Sequence, residues 1–180
     1  VNLNLTVDYA IQSFVENTMR ECLENNKAKN VKCKVMNPST GAVLAMAQLP
    51  DYDPNDPTDE EKKEYSRNGC ILDTYEPGST FKMFTLSAAL EEKTVSESST
   101  FYCPGYHIVD GEKIKCWRTV PHGSQTLQQA ICNSCNPAFM QMGLGLGQKT
   151  LYSYLENFGF SSTTGIDFSA DQSGILLAPK

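Results

Sequence analysis

The hydrophobic period of the chain changes once near its start, and that change limits the folds open to everything after it. Val7, Ile11, Phe14, Val15, Met19 and Leu23 recur at helical spacing, with Thr6 or Asp8 ahead of them as cap. This predicts an amphipathic helix over residues 7–23. After the polar stretch 25–30, Val31, Cys33 and Val35 alternate with Lys32 and Lys34. Asn37-Pro38-Ser39-Thr40-Gly41 then supplies a turn before the apolar run 42–47. Alternation, turn chemistry and a second apolar run predict a β-hairpin.

Residues 50–57 are rich in proline and aspartate and exclude a regular element, and 59–68 read as a short solvated helix. A helix is expected from Ser79 to about Lys93, and a small irregular hairpin over 101–118. Thr126-Leu127-Gln128-Gln129 fits a capping box, and Asn136-Pro137 restarts a helix with proline in its first turn. Residues 133–136 are thus a junction between two helices. A last helix over 148–160 closes near Gly159. Helix, hairpin and a mainly helical block give an α+β class, with helices packed on an antiparallel sheet. The strands are fewer than a complete sheet needs.

The 180 residues suffice for one domain or a piece of a larger one. The formal charge of −6, with no clustered Lys or Arg, argues against nucleic acid as a partner. No stretch approaches the roughly 20 apolar residues of a spanning helix, and residues 1–20 lack the order of a secretory signal. The chain begins at Val1 rather than Met, so a preceding segment, an anchor included, is expected to have been removed. Seven cysteines are an odd number, which excludes a complete internal disulfide framework.

Glu76-Pro77-Gly78-Ser79-Thr80-Phe81-Lys82 puts Ser79 and Lys82 on one helix face about one turn apart. A serine hydroxyl becomes a nucleophile when a base removes its proton, and a lysine acts as that base when desolvation lowers its pKa. Phe81 and Phe84 offer such a shell, and the helix N-terminus offers N–H groups to a developing oxyanion. Alone, the pair has a simpler reading: Ser79 or Thr80 caps the helix and Lys82 is solvated. Ser134 and Asn136, flanking Cys135 in the helix junction, add two polar side chains that can point into one cleft.

The two motifs, with Cys103-Pro104-Gly105, Cys116-Trp117 and His122-Gly123 between them, resemble the transpeptidase domain of class B penicillin-binding proteins, closest to the cell-division and spore-cortex enzymes of Gram-positive bacteria. Residues 37–41, 50–53 and 75–82 follow the family's order and spacing. The resemblance implies a fold like that of the penicillin-binding transpeptidases and serine β-lactamases, incomplete here, and a peptidoglycan D,D-transpeptidase acting on D-Ala-D-Ala stem peptides and acylated by β-lactam antibiotics. Ser79 is the implied nucleophile, Lys82 its proton acceptor, Ser134 the relay to the leaving amine and Asn136 the holder of a substrate amide. Trp117 is placed near the cleft rim.

Also implied are a site on the outer face of the cell membrane, anchored through a segment not in this chain, and division or sporulation membrane proteins as partners. The family's Lys-Thr-Gly or Lys-Ser-Gly motif is absent. The nearest match, Lys149-Thr150-Leu151, falls in a predicted helix. Residues 1–180 are therefore expected to be the N-terminal portion of the domain. A β-lactam sensor and a non-catalytic zinc-stapled module are the alternatives.

Cys103, His107, Cys116, Cys132 and Cys135 contain the donors of a tetrahedral structural zinc site that would staple the hairpin to the helix junction. A Cys103–Cys116 disulfide and inert buried thiols remain open beside it. Cys22 and Cys33 read as core residues, Cys70 as a loop residue, and His122 as a turn histidine bonded to backbone, with metal ligation as its alternative.

Overall fold

The structure is a computed structural model describing residues 2–56, 58, 60, 65–168 and 170–177. The chain divides into two compact units, Val1–Thr74 with Gly165–Gln172, and Tyr75–Thr164 with Ser173–Lys180. The architecture is α+β.

In the first unit, helix α1 (Tyr9–Asn26) is capped by Asp8, whose carboxylate accepts the Ile11 N–H at 3.0 Å. Thr6, the other candidate cap, donates instead to the Val43 carbonyl. Strands β1 (Val31–Met36) and β2 (Val43–Leu49) form the expected hairpin, with Val31 opposite Leu49 and Val35 opposite Ala45. Val15 and Met19 of α1 meet Ala45 and Leu49 in a small core. Gln12 ties helix to strand: its amide donates to the Met46 carbonyl at 3.1 Å and accepts the Met46 N–H at 2.9 Å.

Cys22 is exposed, contrary to the core reading, whereas Cys33 is half-buried and packs against the small core. Cys70 is the buried one, in the short helix α2 (Gly69–Leu72), where its thiol donates to the Ala47 carbonyl at 3.2 Å. Of the short helix read over 59–68, residues 59 and 61–64 lie outside the described residues.

The second unit begins with a 3₁₀ turn, Gly78–Phe81, that runs into helix α3 (Lys82–Glu91). Strands β3 (Thr100–Cys103), β4 (Tyr106–Val109), β5 (Glu112–Lys115) and β6 (Gly123–Thr126) follow. β4 and β5 make the expected hairpin, but β3 pairs antiparallel with β6, Cys103 opposite Gly123. Gly-Ser-Gln-Thr in β6 has no apolar alternation, so only the pairing with β3 makes it a strand.

Helix α4 (Leu127–Cys132) starts from the capping box, with Thr126 and Gln129 bonding each other's N–H groups. Helices α5 (Asn136–Leu146) and α6 (Gln148–Asn157) complete the unit. Its core gathers Ala88, Phe101, Leu127, Ala138, Phe139 and Met142 together with three cysteines, Cys103, Cys116 and Cys135.

Candidate active site

Gly78 adopts φ 59°, with nothing near the position of an added Cβ, so glycine is required there by backbone conformation and not by space. The turn it opens is 3₁₀ where an α-helix was expected. At three residues per turn, positions three apart eclipse. Lys82 Nζ accordingly lies 3.2 Å from Ser79 Oγ, and Ser79 is exposed.

The second motif is built by a helix terminus. The N–H of Ser134 bonds the Ile131 carbonyl at 2.9 Å and that of Cys135 the Ala130 carbonyl at 3.0 Å. This is the Schellman arrangement, with Ser134 in the left-handed position at φ 45°. Glycine occupies that position most often, and a serine there costs about 1 kcal/mol of backbone strain. The turn aims both its carbonyl and hydroxyl at Lys82, 2.7 and 2.9 Å from Nζ. Cys135 then caps α5 in an extended conformation and Asn136 opens the helix, its Oδ1 2.7 Å from the same Nζ. Asn136 Nδ2 faces the Lys115 carbonyl at 3.4 Å, which fixes which end of the amide meets the lysine.

Three of the residues singled out in the sequence, Ser79, Ser134 and Asn136, thus converge on the nitrogen of the fourth, Lys82. The Ser134 carbonyl and Asn136 Oδ1 can only accept, so a neutral lysine donates its two hydrogens to them and turns its lone pair to a hydroxyl. Burial lowers the Lys82 pKa, opposed by the nearby Cys116 and Cys135. Phe139 lies beneath Nζ, 5.4 Å from ring centre to nitrogen, while Phe81 and Phe84 pack against Phe160. The apolar floor under the lysine therefore comes from α5 and not from its own turn.

The cysteine cluster differs from the set read in the sequence. The sulfurs of Cys103, Cys116 and Cys135 and a ring nitrogen of His122 lie within 4.8 Å of one another. His107 and Cys132 are outside this group: His107 is committed to β4 opposite Ile114, and Cys132 ends α4 exposed. His122 replaces them because the β3–β6 pairing returns the chain to Cys103. The signal was present as Cys-x₁₂-Cys-x₅-His-x₁₂-Cys, a spacing with no short pair to mark it. All seven cysteines are free thiols.

Burial would raise the Cys103 thiol, but N–H groups of His122 and Gly105, the His122 ring and the Cys135 thiol bring it down to about 7. Burial and the neighbouring Cys103 push Cys135 up to about 11. A tetrahedral zinc with bonds of about 2.3 Å separates its sulfurs by about 3.8 Å, within reach of this cluster. His122 Nδ1 lies 3.6 Å from Cys116 Sγ, so the imidazole faces the sulfurs as a ligand would. The donor set fits a Cys₃His metal site. Exposed Trp117 donates its indole N–H to the Asn133 carbonyl at 2.9 Å, beside Ser134.

Comparison with known proteins returns one family over most of the chain. Residues 32–180 match the penicillin binding protein transpeptidase domain. Stage V sporulation protein D of Bacillus subtilis is 42% identical, covering 98% of this chain and 28% of its own length. Peptidoglycan D,D-transpeptidase FtsI of Escherichia coli is 30% identical, covering 97% of this chain and 29% of its own. The chain therefore spans less than a third of these relatives.

Among solved structures, Pseudomonas aeruginosa PBP2 in complex with WCK 5153 superposes with a TM-score of 0.75 at 27% identity, covering 97% of this chain and 41% of the other. A peptidoglycan glycosyltransferase from Burkholderia ambifaria gives 0.84 at 24% identity over 97% of this chain and 50% of the other, a likeness of fold.

Proposed function

The chain belongs to the class B penicillin-binding protein transpeptidases, and from that premise we propose that it carries the acylating centre of a peptidoglycan D,D-transpeptidase. The observation that carries this reading is the convergence of Ser79, Ser134 and Asn136 on Lys82 Nζ. Lys82 accepts the Ser79 proton as Oγ bonds to the carbonyl carbon of the penultimate D-alanine. The C–N bond then breaks, Ser134 relays the proton to the departing amine, and D-alanine leaves with it. An amine of a neighbouring stem peptide attacks the ester, forming the new C–N bond and returning the proton and the serine oxygen. Asn136 holds a substrate amide during both halves.

β-Lactams are expected to acylate the same oxygen with no leaving group to depart. The name of the Bacillus subtilis relative, a sporulation protein, favours a role in sporulation; division, and a place at the outer face of the cell membrane beside other wall-building proteins, belong to the same reading. No helix among the described residues is long and apolar enough to cross a membrane.

The Cys₃His cluster, its three cysteines buried and its histidine half-buried, favours a second element of the reading, a structural zinc on Cys103, Cys116, His122 and Cys135. Bound there, zinc would hold three thiolates and an imidazole in one closed tetrahedral set. It would tie β3 to the junction that presents Ser134.

A native mass spectrum of the full-length protein before and after benzylpenicillin tests both. The expected result is one penicilloyl adduct, lost in Ser79→Ala, and a zinc mass removed by a chelator. A wild-type protein that stays unmodified overturns the acyl-serine reading; a metal-free spectrum overturns the zinc.

A further inference from the structure

Gln125 takes no part in the chemistry proposed above, yet it is 3% exposed, in β6. A buried amide costs stability unless it is partnered, so its bonds indicate what holds it. Its Oε1 accepts from Asn133 Nδ2 at 2.8 Å. Its Nε2 is buried without a hydrogen-bond partner. Asn133 and Cys135 are the residues on either side of Ser134. One buried side chain therefore holds the Asn133 amide beside the strained position, while Trp117 holds the Asn133 carbonyl from outside.

We propose that Gln125 is a positioning residue, fixing Asn133 so that Ser134 keeps the left-handed conformation in which its carbonyl and hydroxyl both reach Lys82. A non-glycine residue stays left-handed only where its surroundings over-determine it. The Schellman bonds supply part of that constraint, and Gln125 supplies the part that links the turn to the sheet. This rests on the roles proposed for Ser134 and Lys82.

The test is the acylation of the full-length protein by benzylpenicillin in Gln125→Met, Asn133→Ala and the double variant, separating the acylation rate constant from the dissociation constant of the non-covalent complex. Each single variant is expected to lower the rate constant about tenfold, as loss of a buried hydrogen bond does, with the dissociation constant unchanged. The double variant should be no slower than the slower single, because both remove one interaction. An unchanged rate in Gln125→Met, or losses that multiply to about a hundredfold in the double, overturns the proposal.

Asn133 is half-buried, so its variant keeps the test open if Gln125→Met does not fold. If the wild type itself is not acylated, the acyl-serine reading falls, and the positioning is read from hydrogen exchange. Gln125→Met should then speed exchange of the Ser134 and Cys135 amides about tenfold while β1 and β2 keep theirs. No acceleration there overturns it.

Discussion

Lys82 sits among two oxygens that can only accept, the Ser134 carbonyl and Asn136 Oδ1, and two hydroxyls, those of Ser79 and Ser134, with no carboxylate among its hydrogen-bond partners in the described residues. Burial makes the charged form costly, so its pKa is lowered from that of an ordinary lysine. The neutral amine is the base. Acylation should therefore speed up as pH rises and level off above the Lys82 pKa, with the inflection below the 10.4 or so of a free lysine. Lys82→Arg keeps the charge, removes the base, and should flatten this profile while slowing acylation roughly a hundredfold or more. Stopped-flow acylation by a chromogenic cephalosporin across pH checks this, and an inflection that persists in Lys82→Arg would assign it to another group. The sequence paired Ser79 with Lys82 correctly, but took the shell from Phe81 and Phe84. The residue beneath Nζ is Phe139, which no local spacing connects to it.

Helix α4 is short, six residues from Leu127 to Cys132, and its C-terminus carries Ser134. A helix this short has little internal stability and depends on its caps. Thr126→Ala removes one half of the capping box and should cost about 1 kcal/mol in urea denaturation. A loss near zero would mean that packing of Leu127 and Ala130 alone holds the helix. The capping box, the proline start of α5 and the β1–β2 hairpin were legible because each is written within a few neighbouring residues. The 3₁₀ turn and β6 were not: the first differs from an α-helix only in pitch, and the second acquires its strand character from β3.

The two units have unequal cores. The first buries only Val15, Met19, Ala45 and Leu49 in its cluster, whereas the second includes Cys103, Cys116 and Cys135 among a larger set. Stripping zinc from those sulfurs would leave buried polar groups without their common partner. Chelation by 1,10-phenanthroline should then raise hydrogen exchange in β3, β6 and residues 133–136, and leave β1 and β2 as they were. An equal rise in both units, or none in the second, would contradict a zinc staple.

The sequence by itself determined the α+β class, the hairpin, the helix junction, and Lys82 with the three residues that meet at it. Each rests on short-range periodicity, on turn chemistry, or on two motifs whose resemblance to a family spans most of the chain. The tertiary structure alone decided the partner of β3, the apolar floor under Lys82, the replacement of His107 and Cys132 by His122, and the place of Gln125 behind Ser134. The physical reason is common to all four. Each depends on a contact between residues far apart in the chain, and such contacts are set by the pairing and packing of whole elements, which no local pattern records.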